Sequence, residues 1–426
     1  MRTKIKQIYY DMRHQPVIAW VTFMATAMSV FLIMVVVMMQ QAKTVPFAPE
    51  SCRQRLMIGA NLHTEEIDNP GNNSSAGLSY STAKLLYDGL DGVERMTYYT
   101  LHPTVSEVYA PGGEDFLTAQ MRKADAGFFE VFDHPLVEGR YFTAEEADAV
   151  LPLAVINEST ARKTLGEAPW TGREIIIDNN RYNVVGVIRD NSSLATLGHA
   201  EIVLPTGPTD RFGQWGEYMG SIAVAMIKAD GVDGGHLRDQ VKARYSALDA
   251  QLASEGKRTI YHEQPYEQST LADVTFFGSN TTPDPGEGRR MRLVIYGILL
   301  LVPAINLSSM LHSRMRRRVN EIGVRRAFGC TRLRIIADII TENFVVTLAG
   351  GLVGVTLGII FASTYSGLYE GMENVNQGDT PALGAFLNFG TIATSLLICF
   401  FLNILSASVP AWQASRMNPV EALNSK

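Results

Sequence analysis

Long uncharged apolar runs interrupt an otherwise polar chain at four places. They cover residues 17–39, 293–311, 343–369 and 385–409, which are 23, 19, 27 and 25 residues long. A helix of about 20 apolar residues crosses the roughly 30 Å hydrocarbon core of a bilayer, so each run is long enough to form a span. The first run exceeds the about 7–15 apolar residues of a signal-peptide core, which indicates a retained anchor. The pattern therefore predicts a membrane protein with four transmembrane α-helices.

These spans divide the chain into nine segments. In chain order we expect an N-terminal segment at 1–16, a first span at 17–39, a polar domain at 40–288, a second span at 289–311, a polar loop at 312–336, a third span at 337–369, a short loop at 370–384, a fourth span at 385–409 and a tail at 410–426. At roughly 250 residues, the polar domain is long enough to enclose a core of its own.

The polar domain combines strand patterns with helix patterns. Apolar runs rich in β-branched residues predict strands at 153–156, 174–177, 182–188 and 221–229. Helical spacing is found at 158–165 and 237–252. Residues 69–81 are rich in Asn, Gly and Ser and are expected to form a loop. The fold class predicted for the whole chain is four transmembrane α-helices plus a large α+β extracytoplasmic domain between spans 1 and 2.

The polar domain carries no recognisable catalytic pattern. Its histidines are scattered, and neither an H-E-x-x-H metal motif nor a G-x-S-x-G nucleophile elbow occurs in it. Its many carboxylates are typical of a solvated acidic surface. We therefore predict no catalytic residues, no metal ligands and no cofactor, and the domain is expected to bind a partner or an amphiphilic cargo.

The distribution of charge predicts the orientation of the spans. Eight arginines lie within residues 313–334, whereas the loop at 370–384 has three acids and no Lys or Arg. Loops rich in Lys and Arg stay in the cytoplasm, so both termini and the arginine loop are expected inside. Residues 42–288 contain 35 acids and 20 basic residues, which places an acidic domain outside. A net charge of −6 argues against nucleic acid as a partner, while anionic lipid headgroups suit the arginine loop.

Three glycines recur every fourth residue in the third apolar run. Gly350, Gly354 and Gly358 form a small-xxx-small pattern, which lets two membrane helices approach closely. Two interpretations remain open: the row is a homodimer seam, or it packs against another span of the same chain.

Residue order within the arginine loop carries a family signature. "NEIGVRRAFG", residues 320–329, contains Glu321, Gly323, Arg325, Arg326, Ala327 and Gly329. It resembles the E-I-G-x-R-x-A-x-G signature of the MacB/FtsX-like ABC transporter permeases. "EGRYFT", "INESTARKTLG" and "YNVVGVI" resemble the periplasmic core domain of that family. "IITENFVVTLAGGLVGVTLG" and "PAWQASRMNPVEALNSK" resemble the start of its third span and its C-terminal end, so the likeness covers most of the chain.

The resemblance implies a coupling role for the arginine loop. Family members place a short helix there, which docks into a groove on an ABC-type ATPase, so the six residues of the signature are candidate coupling residues. From the residues alone, a stop-transfer loop that sets topology is an equally good interpretation. No G-x-x-x-x-G-K-[ST] sequence occurs in the chain, because Gly256-Lys257 is followed by Arg258, and ATP hydrolysis is therefore expected in a separate subunit.

The resemblance also implies a function and a location. The function is that of a permease in the cell inner membrane, with both termini in the cytoplasm, which pairs with a like chain as a homodimer or heterodimer. ATP hydrolysis in the partner would move the periplasmic domain by mechanotransmission, for export of an antimicrobial, a peptide or another amphiphile, with a periplasmic adaptor as a further candidate partner. The alternatives are an FtsX-like transmembrane regulator of a cell-wall hydrolase, a lipoprotein-releasing permease and a membrane receptor.

Overall fold

The structure, a computed structural model, describes two compact units. The first comprises Met1–Ala42, Met291–Tyr365 and Leu383–Lys426, and the second comprises Lys43–Arg290 and Ser366–Ala382. The described residues are 16–291, except 114, 193–194, 211 and 274–281, followed by 293–298, 301, 305, 324, 328–331, 333–337, 341, 348–361, 390, 392–398, 400–401, 404 and 408.

The first unit is helical wherever it is described outside a short turn. Helix α1, Pro16–Thr44, covers the first predicted span, with proline at its first helical position, where the missing N–H costs nothing. Helical stretches at 293–298, 348–361 and 392–398 fall within the other three predicted spans, and the other positions described within those spans are helical as well. Among the described residues, no helix meets the joint requirement of length and apolarity for crossing a membrane.

The second unit is an α+β domain with fifteen strands in one connected network. Its strands are β1 (Leu56–Gly59), β2 (Asn61–Glu66), β3 (Asn73–Leu78), β4 (Val93–Thr100), β5 (Thr104–Tyr109), β6 (Leu117–Ala124), β7 (Leu136–Gly139), β8 (Leu153–Asn157), β9 (Glu174–Ile177), β10 (Asn180–Ile188), β11 (Ile202–Pro205), β12 (Met219–Gly220), β13 (Ile222–Lys228), β14 (Lys257–Thr259) and β15 (Tyr266–Glu267). Its helices are α2 (Tyr80–Tyr87), α3 (Phe128–Val131), α4 (Ala144–Asp148), α5 (Glu158–Leu165), α6 (Gly234–Leu252) and α7 (Gln268–Asp273).

Six of the strands close into a ring. The order β11–β8–β10–β9–β5–β6 returns to its start because β6 also pairs with β11, in parallel. Alternate side chains of these strands point inward, as the period of a β-strand requires. Ile156, Val184 and Ile202 are fully buried there together with Trp170 from the loop before β9. The ring therefore has its own apolar core.

An open sheet continues from the ring through β4, which pairs with both β6 and β13. Strand β13 is buried on both faces: Ile222, Val224 and Met226 enter one core, whereas Ala223 and Ala225 enter another. Helices α2 and α6 cover the first of these faces. Because both faces are covered, β13 reads as a continuous apolar run rather than as an alternating one.

Most of the elements predicted for this domain are confirmed. Strand β8, helix α5, the β9–β10 hairpin and strand β13 lie where expected, and α6 begins three residues earlier than predicted. The prediction of a loop at residues 69–81 is wrong, because β3 lies within it and α2 begins at Tyr80. Pairing of β3 with β2 and full burial of Leu78 outweigh the turn-forming composition of that segment.

Candidate functional site

The glycine row of the third apolar run faces α1 of the same chain. A Cβ built at Gly354 would lie 2.5 Å from the carbonyl oxygen of Ala27 and 2.8 Å from the Cβ of Val30. A Cβ at Gly350 would lie 3.1 Å from the Cβ of Thr26. The two backbones are in contact at these positions, so glycine is required by proximity rather than by an unusual φ.

Side chains on both sides of the row extend this contact. A Cβ at Gly358 would meet the Sδ of Met34 at 2.6 Å, two turns further along α1 than Ala27. The rings of Phe31 and Phe361 meet edge to face with centroids 5.5 Å apart. Four-residue spacing on both helices is the pattern of ridges packing into grooves. In the structure the row is therefore occupied within the chain, by α1.

The predicted coupling residues are described only at their end. Glu321, Gly323, Arg325, Arg326 and Ala327 lie outside the described residues. Gly329 lies in a turn with a φ of +87°, and no atom of the described residues lies within 4 Å of its Cβ position. The amide of Phe328 donates to the carbonyl of Val324, four residues back, at 3.1 Å, as in an α-helix. A glycine with positive φ is common at the C-terminal end of a helix, so Gly329 suits that position in the predicted coupling helix.

Two apolar side chains beside this turn were not among the predicted site residues. Phe328 is 88% exposed and Leu333 is 79% exposed. Because aromatic residues are enriched at the centre of protein–protein interfaces, Phe328 is a candidate for the contact surface of the predicted coupling loop. Phe328 could have been selected from the sequence, because it lies inside the family signature, between Ala327 and Gly329.

Among the buried charged residues of the second unit are Glu50, Arg53 and Arg122. Glu50 is 1% exposed and accepts a hydrogen bond from Arg53 Nε at 2.6 Å. Arg122, in β6, is also 1% exposed and, among the described residues, donates to four backbone carbonyl oxygens. Burial lowers the pKa of Arg122 to about 10. Burial of these charged side chains could not be predicted from the sequence, because a charged residue within a strand is normally expected on the solvated side of the sheet.

Two histidines are buried beside Arg122. Burial is the main cause that lowers the pKa of His134 to about 3 and the pKa of His199 to about 4, and neighbouring positive charge adds to both shifts. The ring of His134 stacks on Phe128 with centroids 5.3 Å apart. The Gly198 backbone lies beside this ring and acts on the pKa of His134 in the opposite direction. Both histidines are therefore neutral at physiological pH.

In the part of the chain that the structure describes, no group of three or more His, Cys, Asp or Glu side chains is placed to hold a metal ion. His63 Nδ1 and His262 Nε2 lie 2.9 Å apart and share a hydrogen bond, which makes them a pair of neighbours rather than a ligand set.

Comparisons with known proteins define the class of the chain. Residues 22–244, just over half of the chain, match the MacB-like periplasmic core domain, and residues 293–419 match the FtsX-like permease C-terminal domain. The chain belongs to the MacB/FtsX-like family of ABC transporter permeases.

Individual relatives agree with this assignment. The chain is 26% identical over 289 residues to the macrolide export ATP-binding/permease protein MacB of Bdellovibrio bacteriovorus, covering 67% of this chain and 40% of that protein. It is 26% identical to the pyoverdine export ATP-binding/permease protein PvdT of Pseudomonas aeruginosa, covering 70% and 41%. It is 22% identical to the ABC transporter permease YknZ of Bacillus subtilis, covering 79% and 77%. The chain thus spans less than half the length of the first two.

Among solved structures, the periplasmic region of MacB from Actinobacillus actinomycetemcomitans is similar at 16% identity and a TM-score of 0.34, covering 50% of this chain and 90% of that one. The extracellular domain of YknZ from Gram-positive bacteria is similar at 14% identity and a TM-score of 0.31, covering 47% and 100%.

Proposed function

We propose that this chain is the permease subunit of an ABC transporter of mechanotransmission type. A separate ABC-type ATPase binds the loop at 312–336 and hydrolyses ATP, and the resulting movement of the spans displaces the periplasmic domain. The cargo is an antimicrobial, a peptide or another amphiphile that is exported. The single observation that supports this most is the order of the two family domains along the chain, a periplasmic core followed by an FtsX-like permease region.

The proposal includes the four-span arrangement. The spans are residues 17–39, 289–311, 337–369 and 385–409, in the cell inner membrane, with both termini and the arginine loop in the cytoplasm. Charge supports this orientation, because the arginines cluster in one loop and the domain between the first two spans is acidic. The glycine contact between α1 and residues 350–358 supports a close pairing of the first and third spans.

Coupling is assigned to the signature of the arginine loop. Arg325 and Arg326 supply charge for acids on the ATPase, and Gly323 and Ala327 permit close approach of the coupling helix. Gly329 ends that helix, and the exposed ring of Phe328 supplies an apolar anchor. Aromatic residues and arginine are the types enriched in protein–protein contacts, which suits both groups to this role.

The test is affinity purification of the chain in detergent, followed by assay of ATP hydrolysis in the eluate. We expect an ABC-type ATPase to copurify, and Gly323→Trp or Arg325→Glu to abolish its association while membrane insertion is unchanged. Arg314→Glu is the matched control, because it reverses a charge in the same loop outside the signature. Normal copurification with both signature variants, or ATP hydrolysis by the chain alone, would contradict the proposal.

The experiment also separates export from regulation. The FtsX-like alternative predicts that a cell-wall hydrolase copurifies through the acidic periplasmic domain. Export is preferred because the match to the MacB-like core, residues 22–244, covers most of the domain at 40–288. Recovery of a hydrolase that the complex activates in the presence of ATP would reverse this preference.

A further inference from the structure

Within the second unit, one tight turn is held from both sides by buried charges. The turn covers residues 195–199 and is called the clamped turn below; the amides of Gly198 and His199 both donate to the Ala195 carbonyl, at 3.1 and 2.7 Å. Its middle has no room for a side chain, because a Cβ at Gly198 would lie 2.6 Å from the ring of Phe132.

The carboxylate of Glu50 binds the N–H side of the clamped turn. Glu50 Oε1 accepts the backbone amides of Leu197 at 2.9 Å and of Gly198 at 3.1 Å. The other oxygen of Glu50 accepts from Arg53 Nε at 2.6 Å. Hydrogen bonds to an ionised acceptor are about twice as strong as neutral ones, and this carboxylate is shielded from water.

The guanidinium of Arg122 binds the carbonyl side of the same turn. Arg122 donates from Nη2 to the Thr196 carbonyl at 2.8 Å and from Nε to the His199 carbonyl at 2.6 Å. The peptide group that joins Thr196 and Leu197 is therefore held at its oxygen by Arg122 and at its N–H by Glu50. Its dipole points from one buried charge towards the other, which stabilises both charges without direct contact between them.

The two charges belong to different parts of the domain. Glu50 lies in the segment 45–53, which directly follows α1 in the chain. Arg53 stabilises this segment, because it donates to the Val45 carbonyl at 3.3 Å and lies over the Phe47 ring at 4.2 Å. Arg122 lies on β6, a strand of the ring, and also donates to the carbonyls of Thr100 at 2.7 Å and Leu101, where β4 ends. The clamped turn thus joins the segment after α1 to both the ring and the open sheet.

We infer that Glu50, the clamped turn and Arg122 form the rigid joint through which displacement of α1 reaches the six-strand ring. This inference rests on the proposed mechanotransmission. A flexible connection would absorb the movement of α1. The clamped turn is buried except at Thr196 and is held on both peptide faces, so it passes the movement on, because buried polar groups that lose their partners are penalised. Glu50 and Arg122 are positioning residues: they hold the turn and touch no cargo.

Glu138 provides a matched control within the same domain. Its Oε1 also accepts two consecutive backbone amides, Trp170 at 2.9 Å and Thr171 at 2.8 Å, and the Thr171 hydroxyl at 2.6 Å. These contacts hold a loop of the ring and involve no residue of the segment 45–53. Loss of either carboxylate removes the same kind of contact, but only Glu50 belongs to the segment that follows α1 in the chain.

The test uses the full chain with its ATPase in nanodiscs that carry acceptor dye on the lipid headgroups. In a background with the native cysteines replaced, one donor dye is placed at Ala48 to report movement of the segment after α1, and in a second sample at Asn180 to report movement of the ring. Energy transfer to the headgroups is measured without nucleotide and after trapping with ATP and vanadate.

We expect trapping to shift the signal at both positions in the unsubstituted complex. In Glu50→Ala we expect the shift at Ala48 to remain and the shift at Asn180 to be lost. Glu50→Gln should show part of the shift at Asn180, because its amide oxygen can still accept the two amides. Glu138→Ala should show both shifts. Should Glu50→Ala yield no folded chain, Arg122→Lys decides instead, because it keeps the charge and cannot reach all four carbonyls.

The outcomes separate the joint from the function on which it rests. A full shift at Asn180 in Glu50→Ala, or in Arg122→Lys where that variant decides, would overturn the joint while leaving mechanotransmission standing. An equal loss of the shift at Asn180 in Glu138→Ala would also overturn the joint, because any weakening of the domain would then be enough to remove that shift. An unsubstituted complex that binds the ATPase and shows no shift at either position would overturn mechanotransmission, and the joint with it.

Discussion

Gly354 and Ala27 are in backbone contact: a Cβ added to Gly354 would lie 2.5 Å from the carbonyl oxygen of Ala27 in α1. The obstacle is main chain, which cannot move without displacing the helix. At Gly358 the nearest atom is instead Met34 Sδ at 2.6 Å, the flexible part of a side chain. The three glycines of the row therefore differ in how much they tolerate, although the sequence presents them as equivalent.

We predict that Gly354→Ala destabilises the chain more than Gly350→Ala, and Gly358→Ala least. Overpacking typically costs about 1–3 kcal/mol, against a gain of about 0.5–1 kcal/mol from replacing a helical glycine by alanine. The measurement is the thermal midpoint of the chain in detergent. Gly297→Ala is the matched control, because Gly297 is also helical and no atom of the residues that the structure describes lies within 4 Å of its Cβ position; it should be neutral or stabilising. Equal effects at Gly354 and Gly297 would contradict the close contact.

The buried histidines predict loss of stability in mild acid. The pKa of His134 falls from 6.5 to about 3 on folding and that of His199 to about 4, so the unfolded chain binds these two protons first. Stability from both groups is complete above pH 6.5 and is lost as the pH falls towards 4. Asp125 opposes this, because burial raises its pKa to about 6 and the folded state gains its proton as the pH falls below 6. Two protons against one leave a net loss of about 1.4 kcal/mol per pH unit between pH 6 and 4.5.

His134→Phe isolates one of these protons. A phenyl ring preserves the stacking on Phe128 and gives up only the contact of the imidazole with the Gly198 backbone. We expect the variant to match the parent chain at pH 7.5 and to exceed it by about 1.4 kcal/mol for each pH unit below 6.5. Urea unfolding followed at several pH values provides the comparison. A variant whose stability stays parallel to that of the parent between pH 7.5 and 4.5 would show that His134 is not held neutral.

The sequence predicted local elements well and the closed ring not at all. Strand β13 was found because it is apolar on both faces, and α5 because Gly166 ends it. Closure of the ring depends on the parallel pairing of β6 with β11, whose paired residues Met121 and Ile202 lie far apart in the chain, and neither strand carries a pattern that names its partner. Residues 73–78 were missed as a strand because β3 is stabilised by pairing with β2 rather than by its composition.

The candidate sites divide in the same way. Glycine spacing identified the row at 350–358, but only the structure shows that α1 packs against it. Arg122 could not be found from the sequence, because its burial depends on four carbonyl oxygens that come together only in the fold, from Thr100, Leu101, Thr196 and His199.

Phe328 provides the last prediction, which concerns the surface that meets the ATPase. Its ring is 88% exposed, so Phe328→Ser removes almost no contact within the chain, and the thermal midpoint should be unchanged. If the ring is an apolar anchor at the centre of the docking surface, its loss weakens association by about 1–2 kcal/mol or more, a reduction of roughly tenfold. Titration of purified ATPase onto immobilised chain in detergent measures this directly.

Phe116→Ser is the appropriate control for Phe328→Ser. Phe116 is 62% exposed and lies in the periplasmic core domain, so its removal lowers exposed apolar area on the other face of the proposed topology. ATPase affinity should be unaltered by it. An equal loss of affinity in both variants would point to a general effect of surface hydrophobicity in detergent. Unchanged affinity in Phe328→Ser would confine the docking surface to the arginines and small residues of the signature, and the exposed ring would then have another use.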